Sequence, residues 1–190
     1  MANRKAEIGV ATGLAWTSYG GEILFCETTR MPGKGNVTLT GLLGDVMKES
    51  ARIALSYLKS HHQELGINPK DFSTHDIHVH FPAGAVPKDG PSAGITLTTA
   101  LASLFMQARV KHDVAMTGEV TLQGRVLAIG GLKEKMLAAR RAGIKKLIIP
   151  EENRETIADF PEEIISGMEI SFVNEVSEVL AQVILPKAKK

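Results

Sequence analysis

Three groups of side chains in this sequence sit where they could do chemistry: a serine among small residues, a lysine on an apolar helix face, and two histidines spaced by one residue. Ser92 lies in "PKDGPSAG" (87–94), directly before the apolar stretch "ITLTTALASLFMQ". Asp89-Gly90-Pro91 is turn chemistry. The proline holds Gly90 extended, and its own fixed φ suits a first helical turn. Ser92 is thereby placed at a helix N-terminus, where unpaired backbone N–H groups and the positive end of the dipole favour a negative charge, such as the oxyanion of an attacked carbonyl. The small neighbours Gly90, Ala93 and Gly94 leave room for a polypeptide backbone. A serine here also suits plain helix capping, the commoner use of that residue type.

A serine nucleophile needs a base, ordinarily a histidine held by a carboxylate. Of the six histidines, His61 and His62 end an amphipathic helix and His112 lies in a polar loop, so these read as solvated. His75, His78 and His80 belong to "HDIHVH". His78 and His80 share one face of a strand and so could suit a metal, but no third ligand of known position joins them, and packing or hydrogen bonding is the plainer reading.

Lysine is the other possible base. On a helical wheel with Lys135 at zero, Leu132, Met136, Ala138, Ala139, Ala142 and Gly143 fall between about −60° and +100°. Lys135 is inside that apolar arc. Lys133, Glu134, Arg140 and Arg141 lie on the other side, and only Leu137 is out of place. A lysine on a buried face snorkels, pairs with a carboxylate or is held neutral at a depressed pKa, and the last state is the one a general base requires.

The elements that must position these residues alternate between strand and helix patterns. Residues 8–17 and 21–29 read as a hairpin across Ser18, Tyr19 and Gly20, with "NVTLTG" as a third strand. Apolar spacing predicts an amphipathic helix from 45 to about 65. Residues 76–82 and 113–120 read as strands, 92–107 as a buried helix, and "RVLAIGG" as a lead into the helix of Lys135. "KKLIIP" and "MEISFV" are strands, each followed by a helical segment, with Asn174 as the expected N-cap of the last. The expected class is α/β or α+β with a mixed sheet, in a single domain over 1–190 whose tail, 186–190, is expected to be mobile.

Composition narrows the function classes. Lysine plus arginine number 22 against 21 aspartates and glutamates. With so even a balance and only 5% aromatic residues, neither a nucleic acid nor an anionic membrane is an expected partner. Cys26 is the only cysteine, which excludes an internal disulfide and a multi-cysteine metal site and fits a reducing, cytoplasmic setting. No stretch has the apolar length of a membrane span, and no signal-peptide pattern opens the sequence.

Together, "PKDGPSAG" and "MTGEVTLQGRVLAIGGLKEK" resemble the two signature blocks of the proteolytic domain of Lon, the ATP-dependent serine protease with a Ser-Lys dyad. "GLAWTSYGGEILFCET", "LGDVMKESARIALSYL", "HVHFPAGAVPKDGPSAG" and "KEKMLAARRAGIKKLIIPEEN" extend the similarity over nearly the whole chain. The resemblance implies Ser92 as nucleophile and Lys135 as base. It further implies that Thr117 hydrogen-bonds the lysine amine and that Asp89, Gly90 and the N–H of Ser92 shape the oxyanion site. Glu27, His78 and His80 fall in matching blocks and are expected beside the substrate path. The implied fold is that of the second domain of ribosomal protein S5, assembled as a hexameric ring acting on unfolded polypeptides. The short connection between Thr28 and Asn36 is similar to bacterial members.

Family members carry an ATPase module before the protease domain. No G-x-x-x-x-G-K-[ST] sequence is present here, and "PGKGN" at 32–36 lacks both the spacing and the hydroxyl. The expectation is therefore an excised protease domain, beginning near a natural boundary, with no cofactor and no metal of its own; ATP and Mg would bind the absent module. The reading is a serine endopeptidase. Its rivals are a non-catalytic S5-like binding module and a metal hydrolase built on His78 and His80.

Overall fold

The computed structural model of the chain describes residues 4–82 and 86–187. In chain order the elements are β1 (Glu7–Ile8), β2 (Val10–Thr17), β3 (Gly20–Pro32), β4 (Val37–Thr40), α1 (Asp45–Ser60), α2 (Asp71–Thr74) and β5 (His75–His80). A 3-10 turn (Pro91–Ala93) then runs into α3 (Gly94–Met106), followed by β6 (Arg109–Val110), β7 (Val114–Met116), β8 (Glu119–Val120) and β9 (Val126–Leu127). The last third contains α4 (Leu132–Arg141), β10 (Lys146–Pro150), a second 3-10 turn (Glu151–Asn153), α5 (Arg154–Ala158), α6 (Glu162–Ile165), β11 (Glu169–Val173) and α7 (Val176–Val183).

Seven strands form one mixed sheet in the order β11-β10-β7-β2-β3-β5-β4. The pairs β2/β3 and β3/β5 are antiparallel, whereas β11/β10, β10/β7, β7/β2 and β4/β5 are parallel. The class is α/β with a mixed sheet, as the interleaved patterns imply. Strand alternation divides the core between the two faces. Ile148 belongs to the cluster with α1, α3 and α7, while Leu147 and Ile149 belong to the cluster with α4, Ile157 and Ile164. From Gly94 to Phe105 every residue of α3 is buried, since the helix lies between the sheet and two further helices. Each leucine removed from water in this way stabilises the fold by about 1.5–3 kcal/mol.

Several boundaries differ from the sequence pattern. β3 continues to Pro32 because its last part pairs with β5, from Glu27 opposite His80 to Pro32 opposite His75. The helix begun at Asp45 stops at Ser60, where His61 turns back to stack on Tyr57 with ring centroids 4.2 Å apart; it is therefore packed rather than simply solvated. The single strand expected over 113–120 breaks at Thr117 and Gly118. Thr117 N–H still donates to Ile148 O of β10 (3.1 Å), and the backbone leaves the sheet at Gly118, whose N–H donates to Ser92 O (2.9 Å). The N-cap of α7 is Glu175 rather than Asn174. Glu175 and Glu178 form a capping box, with Glu178 Oε2 also accepting from Asn174 N–H at 2.6 Å. Of the tail expected to be mobile, residues 188–190 lie outside the described residues.

Candidate active site

The parallel strands β2 and β7 meet at Gly13 and Met116, and the site lies just beyond the carboxyl end of β7, the usual ligand position in such sheets. One approach to it is the Ser92 turn. Gly118 N–H donates to Ser92 O, and Ile95 N–H donates back to Gly118 O at 3.0 Å. This clasp ties the start of α3 to the end of β7. It depends on Gly94, because a Cβ there would lie 2.8 Å from Val120 N.

The other approach is α4, whose apolar face buries Leu132, Lys135, Met136, Ala138 and Ala139. Lys133 is exposed, and Leu137, off the main arc, is half-buried against the second cluster. Lys135 is only 2% exposed. Its Nζ donates to Thr117 Oγ1 at 3.1 Å, and among the described residues no carboxylate comes within ion-pair distance of it. Burial lowers its pKa to about 8, by penalising the ammonium.

Ser92, Lys135, Asp89 and Gly90 line one cleft of about 560 Å³. Ser92 is half-buried there, and its Oγ makes no hydrogen bond among the described residues, to Lys135 or to any other group. The amine rests on Thr117 instead. The structure therefore places Ser92 and Lys135 on the walls of one cleft with no direct bond between them.

Asp89 and Gly90 have a structural task beside Ser92. Gly44, the N-cap of α1, has no side chain to offer the helix, and Asp89 Oδ1 takes over that role by accepting Met47 N–H at 3.0 Å. The same oxygen accepts Gly90 N–H at 2.8 Å, so this N–H is committed to Asp89. A Cβ on Gly44 would fall 2.2 Å from Asp89 Cγ, which is why glycine stands there. Gly90 has φ 121°, ψ 162°: extended in ψ, as a following proline demands, but at a φ that favours glycine. Asp89→Ala is expected to lose about 1–2 kcal/mol of stability, as for a deleted N-cap, and Asp89→Asn much less because its amide oxygen still accepts. Urea denaturation of both variants measures the difference.

Glu27, His78 and His80 line a different cleft, of about 440 Å³, together with Arg4, Glu7 and Thr29. None of the three lines the Ser92 cleft. Thr40 Oγ1 lies 2.8 Å from His78 Nε2 and 2.7 Å from His80 Nδ1. The hydroxyl has one proton to give, so at most one of the two ring nitrogens accepts from it. Among the described residues no group of three or more His, Cys, Asp or Glu could hold a metal. Pattern reasoning missed Trp16 and Tyr19, which line the Ser92 cleft from the β2–β3 hairpin and are 61% and 96% exposed. Two large aromatics at a hairpin tip were the available signal, since such rings are costly to leave in water without a use.

Known proteins resemble this chain over nearly its whole length. A family model described as the Lon protease (S16) C-terminal proteolytic domain matches residues 1–186. Lon protease of Anaeromyxobacter dehalogenans is 60% identical over 179 residues, covering 94% of this chain and 21% of that protein. Lon protease 4 of Sorangium cellulosum is 56% identical over 181 residues, 95% of this chain and 23% of the relative. For Lon protease of Desulfatibacillum aliphaticivorans the identity is 55% over 190 residues, 100% of this chain and 23% of the relative. The chain thus spans less than a quarter of the length of these curated relatives. With nearly every residue inside that match, the chain belongs to the Lon protease family as a C-terminal proteolytic domain, a serine endopeptidase rather than a non-catalytic binding module.

Proposed function

We propose that this domain cleaves polypeptides with Ser92 as nucleophile and Lys135 as general base. The observation that carries this reading is a lysine 2% exposed, with no carboxylate partner among the described residues, in the cleft that holds Ser92. A pKa of about 8 leaves about a tenth of Lys135 neutral at pH 7, against about 0.04% for an ordinary lysine. The neutral amine has two N–H groups and one lone pair. Donating one N–H to Thr117 Oγ1 orients the nitrogen and leaves the lone pair for the proton of Ser92 Oγ.

The steps follow from that arrangement. Ser92 Oγ attacks the scissile carbonyl as its proton passes to Lys135, and the start of α3 stabilises the oxyanion through its dipole. The lysine ammonium then protonates the leaving amine. Water, deprotonated by the restored amine, releases the acyl group from Ser92. Contact between Ser92 and Lys135 forms with substrate in place, as catalytic hydrogen bonds commonly tighten in the Michaelis complex. Gly90 N–H is tied to Asp89, so the backbone N–H of Ser92 is the better donor to the oxyanion.

For the whole protein the reading is ATP-dependent degradation of unfolded polypeptides by a hexameric ring in the cytoplasm, with ATP and Mg bound by a module outside these residues. Neither a nucleic acid nor a membrane is a partner of this domain. No helix among the described residues is long and apolar enough to cross a membrane. Purified chain given an unstructured peptide is expected to cleave it without nucleotide, to be blocked by a peptide boronate and to be indifferent to a chelator. A chelator that abolishes cleavage while boronates fail would replace this reading with a metal hydrolase.

A further inference from the structure

Asn153 stands at the N-cap of α5, where an asparagine ordinarily turns its side chain onto its own helix. It makes no such bond. Both polar atoms of its amide go to one residue of another segment: Ile129 N–H donates to Oδ1 at 3.0 Å, and Nδ2 donates to Ile129 O at 2.9 Å. A side-chain amide has taken the place of a neighbouring strand. The adjacent Glu152 adds a third bond, accepting Ala128 N–H at Oε2 (3.1 Å). Asn153 is 5% exposed and its two bonds to Ile129 are partly buried, which makes them costly to lose, whereas the Glu152 bond is exposed.

The segment held in this way is a wall of the catalytic cleft. Ala128, Ile129 and Gly130 line it. Gly131 follows as the N-cap of α4, and its carbonyl accepts the Lys135 N–H at 3.1 Å, so the first turn of α4 hangs from this wall. From the other side comes Trp16: a Cβ on Gly131 would lie 2.9 Å from the Trp16 Cβ. Trp16 and Asn153 thus hold residues 128–131 between them.

We propose that Asn153 is a positioning residue for the general base: its double hydrogen bond to Ile129 fixes the wall from which α4 starts, and so sets how deeply Lys135 is buried beside Ser92. The inference rests on reading Lys135 as the base. On a helix each residue turns about 100° and rises about 1.5 Å, so a small shift of the first turn swings the long lysine arm across the cleft. A loosened wall also admits water to the amine. The other titratable groups of the cleft are Glu22, Lys88, Asp89 and Tyr19, with Lys133 and Glu134 beside Lys135 on α4. Burial alone depresses Lys135, so wetting the amine returns it toward its ordinary value.

The test is the pH dependence of peptide cleavage by Asn153→Ala and by Asn153→Leu, which keeps the shape of the side chain and removes both bonds. The expected result is a fall in kcat of about tenfold or more with KM little changed, since a misplaced base weakens the chemical step and not substrate binding. The alkaline inflection of kcat is expected to move upward from that of the parent. A merely structural asparagine would lower the folded fraction and leave the inflection of the active fraction where it was. Folded variants with parental kcat and inflection would overturn the proposal. So would failure of both variants to fold, which would make Asn153 a determinant of the fold. A parent profile with no rise toward alkaline pH, or an active Ser92→Ala chain, would instead overturn the assignment of base and nucleophile.

Discussion

Ser92→Ala is expected to abolish peptide cleavage while leaving the fold intact. Loss of a serine nucleophile lowers kcat by a factor on the order of 10⁴ to 10⁶, the residue of activity coming from binding and oxyanion stabilisation alone. The structural cost is small for a stated reason. Serine at a helix start often caps it, at about 1 kcal/mol, but no side-chain cap bond is made at this 3-10 turn or at the start of α3. The ties that hold the turn are backbone ones, from Gly118 N–H to Ser92 O and from Ile95 N–H to Gly118 O, and alanine keeps both. The stability change is therefore expected within about 0.5 kcal/mol. Steady-state cleavage together with a urea titration measures both quantities. Turnover near that of the parent would remove Ser92 from the mechanism, and a large stability loss would show that its hydroxyl holds the turn.

Ser92 and Lys135 were legible one at a time. Ser92 follows a turn signal and precedes an apolar helix, and Lys135 is the charged residue inside an apolar arc; both are local patterns. That they share a cleft is not local. It follows from the parallel pairing of β2 with β7 and from the Gly118 clasp, which no spacing in the sequence encodes, and the juxtaposition was available only through family resemblance. Gly90 marks another limit: the proline after it restricts ψ, but a glycine leaves φ open, and the structure has the positive value, with Gly90 N–H on Asp89 Oδ1, the oxygen that also accepts Met47 N–H of α1. Glu27, His78 and His80 fall in matching sequence blocks but line a cleft other than that of Ser92. Leu24, which lines the Ser92 cleft, and Glu27 are separated by an odd number of residues on β3 and so point to opposite faces of the sheet. Asn153 carried a local signal of the wrong kind, because an asparagine before a helix reads as its cap, and only the fold reveals the partner in residue 129.

The two lysines of "KEK" are expected to respond in opposite ways. Lys133 is exposed and Lys135 buried, so Lys133→Ala should keep most activity, whereas Lys135→Arg and Lys135→Met should each lose it by a factor on the order of 10⁴, arginine being unable to give up its proton near neutral pH. For the parent, activity should rise with pH through an inflection at about 8, as the neutral amine accumulates. Stability follows the same titration. Between about 8 and the ordinary lysine value the unfolded chain holds a proton that the folded chain does not, so stability rises with pH across that window; below it both states are protonated and the folded state bears the full cost of a buried ammonium, roughly 3 kcal/mol. Methionine fits the same unbranched path without a charge. Allowing about 1 kcal/mol for the partner lost by Thr117, Lys135→Met should stabilise the domain by about 2 kcal/mol at pH 7 and flatten the rise above pH 8. A function that costs stability leaves this signature. A Lys135→Met chain that is less stable than the parent, or that still cleaves peptide, would mean that the lysine serves the fold rather than the reaction.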